Sequence, residues 1–107
     1  MSTSVIQKYV DTYEKAMHKG MEMFNGAPAV PNSFNLWVTE AEYDYLKKLE
    51  VVAMQAVERQ LISLVRWHRK QGLHEKLMLS VRLLAQHRGG RYHAYNMAKA
   101  FISLSNV

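Results

Sequence analysis

The chain has 107 residues with no Cys, two Pro and five Gly, and 49% of it is apolar. That composition fits a single domain and excludes a collagen-like, disulfide-stapled or disordered chain. With no Cys there is no zinc ribbon, CxxC redox pair or thiol nucleophile. No run of 18 apolar residues offers a membrane span. The start, Met1-Ser2-Thr3-Ser4, lacks the basic and apolar stretches of a signal peptide, so the expected location is cytoplasmic.

The first predicted helix opens at Thr3 or Ser4, where Ser4-Val5-Ile6-Gln7 has the spacing of a capping box. Ile6, Tyr9, Val10, Tyr13, Ala16, Met17, Met21 and Phe24 follow at helical intervals and share one face. Gly20 weakens this helix and Gly26 can end it. Met17, Met21 and Met23 with Phe24 read as core, with an adaptable binding face as the alternative. From Asn25 to Asn35, Pro, Gly and Asn interrupt any period and predict an irregular connector, too short to divide the chain into domains.

Thr39 with Glu42 forms a second capping box, and Val38 is placed to staple against Tyr43. No Gly or Pro occurs from Val38 to Gln71. The helix predicted there runs about 32 residues, roughly 48 Å at the standard rise. That is longer than a domain this small is wide, so part of it is expected to project or to pack against another chain. Gly72 breaks the pattern. A third helix opens at His74-Glu75-Lys76 with the apolar set Leu77, Met78, Val81, Leu84 and Ala85, and Arg88-Gly89-Gly90 turns the chain. The last helix is expected from about Arg91 to Ser103, burying Tyr95, Ala98, Phe101 and Ile102. No stretch alternates as a strand does, so the predicted fold is all-α, a compact bundle of about four helices in one domain, 1–107.

Charge divides this domain. Residues 1–58 hold five Lys against eight acids, a balance of −3, whereas residues 59–107 hold nine Lys and Arg against one acid, a balance of +8. All six Arg lie in the basic half. Such asymmetry points to an anionic partner, or to pairing of the two halves within the molecule or between copies. Arg59, Arg66 and Lys70 fall within about 40° of one another on the long helix, flanked by Trp67 and Arg69, in a stripe suited to phosphates. Arg88-Gly89-Gly90-Arg91-Tyr92-His93 joins cations and exposed backbone N–H groups at a helix N-terminus. Arg82 adds a further cation. Trp67, Tyr92 or Tyr95 is a candidate to stack on an unpaired base.

Arg and His recur with four residues between them at Arg69 and His74, Arg82 and His87, and Arg88 and His93. This spacing resembles the catalytic motif of the HEPN ribonucleases, small all-α dimeric nucleases, and Tyr95 matches a variant with Tyr two residues after the His. The resemblance implies Arg88 as phosphate holder and His93 as proton-transfer group, with Tyr95 beside them. Leu83 and Gly89 stand where that family has a polar residue after the Arg.

No His pair has i, i+4 spacing, and no HExxH, P-loop, nucleophile elbow or GxGxxG occurs, so neither a metal nor a cofactor is expected. The His residues read as phosphate-side donors, helix ends or surface. A helix-turn-helix over Val81–Phe101 has Ala85 and Gly89 at the usual offset, but Arg88 and Gly90 occupy positions that need apolar residues.

The function these features favour is a small non-enzymatic nucleic-acid-binding protein of RNA or DNA. It contacts phosphates through its basic half and assembles as a dimer or as a subunit of a nucleoprotein complex. In size and charge it is similar to helical accessory subunits of CRISPR effector complexes and to phage proteins. The alternatives are a helical protein-interaction module, such as a viral or mobile-element inhibitor or adaptor, and a HEPN-like ribonuclease.

Overall fold

A computed structural model describes residues 4–23 and 38–105, with the side chains of 5–21 and 38–105. It contains α1 (Ser4–Met23), α2 (Glu40–Lys70), α3 (His74–Arg88) and α4 (Ala94–Ser105). Among the described residues there is no strand. The expected connector, together with Phe24 and the cap preceding Ser4, lies outside the described residues.

The Thr39 capping box starts α2. The Thr39 N–H donates to Glu42 Oε1 at 2.9 Å, and the Glu42 N–H donates to Thr39 Oγ1 at 3.1 Å. Val38 and Tyr43, the predicted staple, are both half-buried against the core. Lys19 ties α1 to the same carboxylate at 3.1 Å. The Thr39 N–H and then Lys19 hold the Glu42 carboxyl at about 2, well below its ordinary value of 4.5.

At the other end of α2, the Leu73 N–H donates to His68 O and the Gly72 N–H to Arg69 O, with Gly72 at φ 70°. The end of α3 repeats this arrangement. There the Arg91 N–H donates to Gln86 O and the Gly90 N–H to His87 O, with Gly90 at φ 67°. Both are Schellman closures, which need a left-handed residue one position past the cap and therefore favour Gly.

The 31 residues of α2 span about 46 Å at the standard rise, nearly the whole 48 Å long axis of the molecule. No buried stretch is missing at either end, since its inward residues run from Leu46 to His68. The expectation that a segment of this helix projects is therefore corrected. Two different elements cover its two halves. Antiparallel α1 lies on the N-terminal half, from the Lys19–Glu42 pair to the Tyr9–Glu50 hydrogen bond. Antiparallel α3 lies on the C-terminal half, from the Glu58–Arg88 pair to the His68–Ser80 hydrogen bond. α1 and α3 do not touch, and α4 contacts all three other helices. The core joins Ile6, Tyr9, Val10 and Tyr13 of α1 to Ala53, Val57 and Leu61 of α2 and to Met97, Ala98 and Phe101 of α4. The predicted face of α1 is thus buried, with Ala16, Met17 and Met21 half-buried, and Gly20 is buried inside the helix.

α3 departs from its predicted face. Leu77 and Leu84 are half-buried, but Met78, Val81 and Ala85 are exposed, while Ser80 and Leu83 are buried instead. The helix is turned by about one residue position, roughly 100°. The cause lies in polar pairing. Ser80 Oγ donates to Leu77 O at 3.0 Å and is hydrogen-bonded to His68 Nδ1 at 3.1 Å, so each buried polar group satisfies the other. Apolar residues surround α3 on most sides, so their period does not select one face.

α4 begins at Ala94 and not at Arg91, because Arg91 closes α3 and the first α4 bond runs from the Met97 N–H to His93 O. It buries Ala94 and Met97 beside the expected Ala98 and Phe101, leaving Tyr95 and Ile102 half-buried.

Gly72→Ala and Gly90→Ala should each cost about 1 kcal/mol in urea unfolding, through backbone strain alone, since an added Cβ meets no atom within 4 Å. An unchanged midpoint would mean the left-handed closure is not maintained in solution. The lowered Glu42 pKa stabilises the fold above pH 4.5, and this contribution is lost as pH falls towards about 2. Glu42→Gln should therefore flatten the dependence of the unfolding midpoint on pH across that window relative to the parent chain.

Candidate nucleic-acid interface

The inward face of α2 carries Ala53, Val57, Leu61 and His68, which turns the opposite face to solvent. Arg59, Arg66 and Lys70 are all exposed on that outward face, and Arg69 is exposed at its edge. Trp67 flanks the same stripe, 54% exposed, one helical turn from Ser63 and Lys70. It has no ring partner among the described residues.

The remaining predicted residues lie elsewhere. Arg82 is exposed on α3 and Arg91 in the α3–α4 turn. Arg88 Nε donates to Glu58 at 3.3 Å. Tyr92 is 37% exposed, with one ring face stacked on His87 at 5.2 Å and 3°. His93 Nε2 and Tyr13 OH share a hydrogen bond at 3.3 Å. Tyr95 stacks on Tyr13 at 4.3 Å and 11°, and its hydroxyl donates to Glu14 at 2.6 Å. The turn is thereby clamped onto α1 and α2.

The hydrogen bonds set the electrostatics of this clamp. The Tyr95 and Lys99 donors lower the Glu14 carboxyl below its ordinary range. Burial and then Glu14 push the Tyr95 hydroxyl up to about 12. Burial raises Tyr13, and burial followed by Glu50 raises Tyr9, so both remain neutral at physiological pH. Of the three residues with ribonuclease-like spacing, His93 and Tyr95 come together, their rings edge to face at 6.4 Å and both against Tyr13, whereas Arg88 is held by Glu58.

Two His depart from the surface reading. His68 is buried on Ser80, and His87 Nε2 donates to Met54 O at 3.1 Å. Among the described residues, no three His, Asp or Glu side chains gather to hold a metal. On α4, which a helix-turn-helix would use for recognition, the one cation is Lys99, and it is held by Glu14 at 3.1 Å. No helix of the described residues is long and apolar enough to cross a membrane.

The charge asymmetry is only partly absorbed within the molecule. Of the nine Lys and Arg in residues 59–107, two have carboxylate partners, Arg88 on Glu58 and Lys99 on Glu14. The other two ion pairs, Lys19–Glu42 and Lys47–Glu50, stay within the acidic half. Seven cations of the basic half are left without a carboxylate partner among the described residues. Four of them, Arg59, Arg66, Arg69 and Lys70, share one stretch of α2.

Sequence reasoning missed a groove between α3 and α4, bordered by Lys76 and Arg82 and floored by Leu79, Leu83, Ala100 and Leu104. Lys76-x-x-Leu79-x-x-x-Leu83 was its available signal, hidden by the expectation that α3 buries Met78 and Val81. No family model, curated protein or solved structure matches the chain.

Tyr95→Phe should cost about 1.5 kcal/mol, as expected for a lost hydrogen bond to a charged acceptor. Lys99→Ala, which removes an exposed ion pair on the same carboxylate, should cost under about 1 kcal/mol. Urea unfolding of the two variants tests the order, and a reversed order would assign the clamp to the ion pair.

Proposed function

We propose that the protein is a non-enzymatic nucleic-acid-binding protein that holds a phosphate backbone along the outward face of α2. The observation that carries this reading is the set of four cations, Arg59, Arg66, Arg69 and Lys70, exposed together with no carboxylate partner among the described residues. Arg supplies a planar fork that binds phosphate bidentately and stacks on bases. The rise from Arg59 to Lys70 is about 16 Å, so the stripe can engage several phosphates of one strand.

Trp67 beside Lys70 supports an unpaired strand as ligand, because an exposed indole gives a base a stacking surface that a paired base does not need. The helix that a helix-turn-helix would use for recognition, α4, carries one cation, and Glu14 holds it, so the mode is backbone-directed and tolerant of sequence. Tyr45, Val51 and Val52, exposed on the N-terminal half of the same helix, fit assembly as a dimer or within a nucleoprotein complex.

Fluorescence anisotropy with labelled single-stranded RNA and DNA, titrated at two salt concentrations, tests the reading. Replacing Arg59 and Arg66 together by Ala should reduce the slope of log affinity against log salt by about 1.4, at roughly 0.7 per phosphate contact on a single strand. Trp67→Ala should cost about 1–3 kcal/mol of affinity. Equal affinity and slope in both variants would remove the α2 face from the function.

A further inference from the structure

The groove between α3 and α4 has a volume of about 470 Å³ and an apolar floor of Leu79, Leu83, Ala100 and Leu104. Lys76 and Arg82 border it, and neither has a carboxylate partner among the described residues. Glu75, the single acid beyond Glu58, stands at the N-terminal end of α3. Leu79 is 52% exposed and Met78 beside it 55%. A groove this open leaves a small molecule half in water, whereas pockets for such ligands bury most of the ligand surface. The lining residues along α3 run from Lys76 to Gln86, about 15 Å, which matches roughly three turns of a helix laid against it.

We infer that the α3–α4 groove docks an acidic amphipathic helix of a partner protein, its apolar stripe on Leu79, Leu83 and Leu104 and its carboxylates on Lys76 and Arg82. Charge selects this occupant, since a basic rim around a leucine floor complements a helix with acids flanking its apolar positions. A nucleic acid fits the floor poorly, because no aromatic ring lines it for stacking. A second copy of this chain, whose exposed Asp11, Glu40 and Asp44 are in no ion pair among the described residues, is the competing occupant, and a dimer that Arg82→Glu dissociates would overturn the inference. The groove goes beyond the nucleic-acid reading and uses a surface other than the α2 stripe.

The test uses the full-length, isotope-labelled protein and two synthetic helical peptides of about 16 residues, roughly four turns each. One carries Leu at helical spacing with flanking Glu, and the other replaces every Glu by Lys. The Glu peptide should shift the amide resonances of residues 76–86 and 100–104. Its affinity should fall about tenfold or more in Leu79→Ser and in Arg82→Glu, and Arg82→Glu should gain affinity for the Lys peptide. Both substituted side chains are exposed, and an unchanged circular dichroism spectrum and unfolding midpoint verify the fold.

The inference is overturned if the Glu peptide fails to bind at about millimolar concentration or binds no better than the Lys peptide. It is likewise overturned if the shifts fall on residues 59–70, or if a single-stranded oligonucleotide or phosphatidylserine vesicles displace the peptide from the groove. Leu79→Ser should leave oligonucleotide binding along α2 unchanged, and the Arg59 and Arg66 substitutions should leave peptide binding unchanged. Failure of either surface is therefore separable from failure of the other.

Discussion

The structure depends on the need to bury one side of a 31-residue helix in a chain of 107 residues. An α-helix of that length presents about 46 Å of apolar stripe, more than any one of the other helices can cover. The solution is serial. α1 covers one half of α2, α3 the other, and α4 bridges them without α1 and α3 meeting. Everything that could bind a partner follows from this division, because the side of α2 left open runs the length of the molecule and carries Arg59, Arg66 and Lys70.

Polar contacts then decide how the covering helices are turned. His68 is buried in the C-terminal half of α2, and a buried imidazole without a partner would cost about 1–3 kcal/mol. Ser80 meets that need, and the demand that Ser80 face inward selects the buried face of α3, which its apolar residues alone leave open. The hydroxyls of Tyr13 and Tyr95 act similarly on the α3–α4 turn and the start of α4. Their hydrogen bonds to His93 and Glu14 fix a segment that contributes few buried apolar residues of its own. The residues with ribonuclease-like spacing, Arg88, His93 and Tyr95, take part in this fastening.

What the sequence conveys and what it conceals follow from the same distinction. The capping box at Thr39, the glycine closures after Lys70 and Arg88, and the apolar face of α1 all rest on local geometry, and local geometry is written in adjacent residues. The exposed stripe of α2 was equally legible, since it needs only the helical period and one long uninterrupted segment. The orientation of α3 was not, because it depends on a hydrogen bond between residues twelve positions apart on a helix whose Leu, Met and Val occur on most sides. The start of α4 was also hidden. Arg91, Tyr92 and His93 have no residue that forbids a helix, and they are drawn out of it by the Gly90 closure and by stacking of Tyr92 on His87. The groove between α3 and α4 was invisible for the same reason as the turn of α3.

The rotation of α3 has a consequence for solubility as well as for packing. Burying Ser80 places Met78, Leu79 and Val81 in water together, next to Arg82 and near Lys76. Isolated exposed apolar residues are ordinary on protein surfaces, but a contiguous group beside a concave apolar floor promotes association. The cations along its border favour oppositely charged partners, because Lys76 and Arg82 have no carboxylate partner among the described residues. In the nucleic-acid reading we propose, the unpaired cations on α2 act on a phosphate backbone through charge and spacing alone. The apolar floor separates the two proposed surfaces chemically: the α2 stripe needs none, and a helix docked in the groove does.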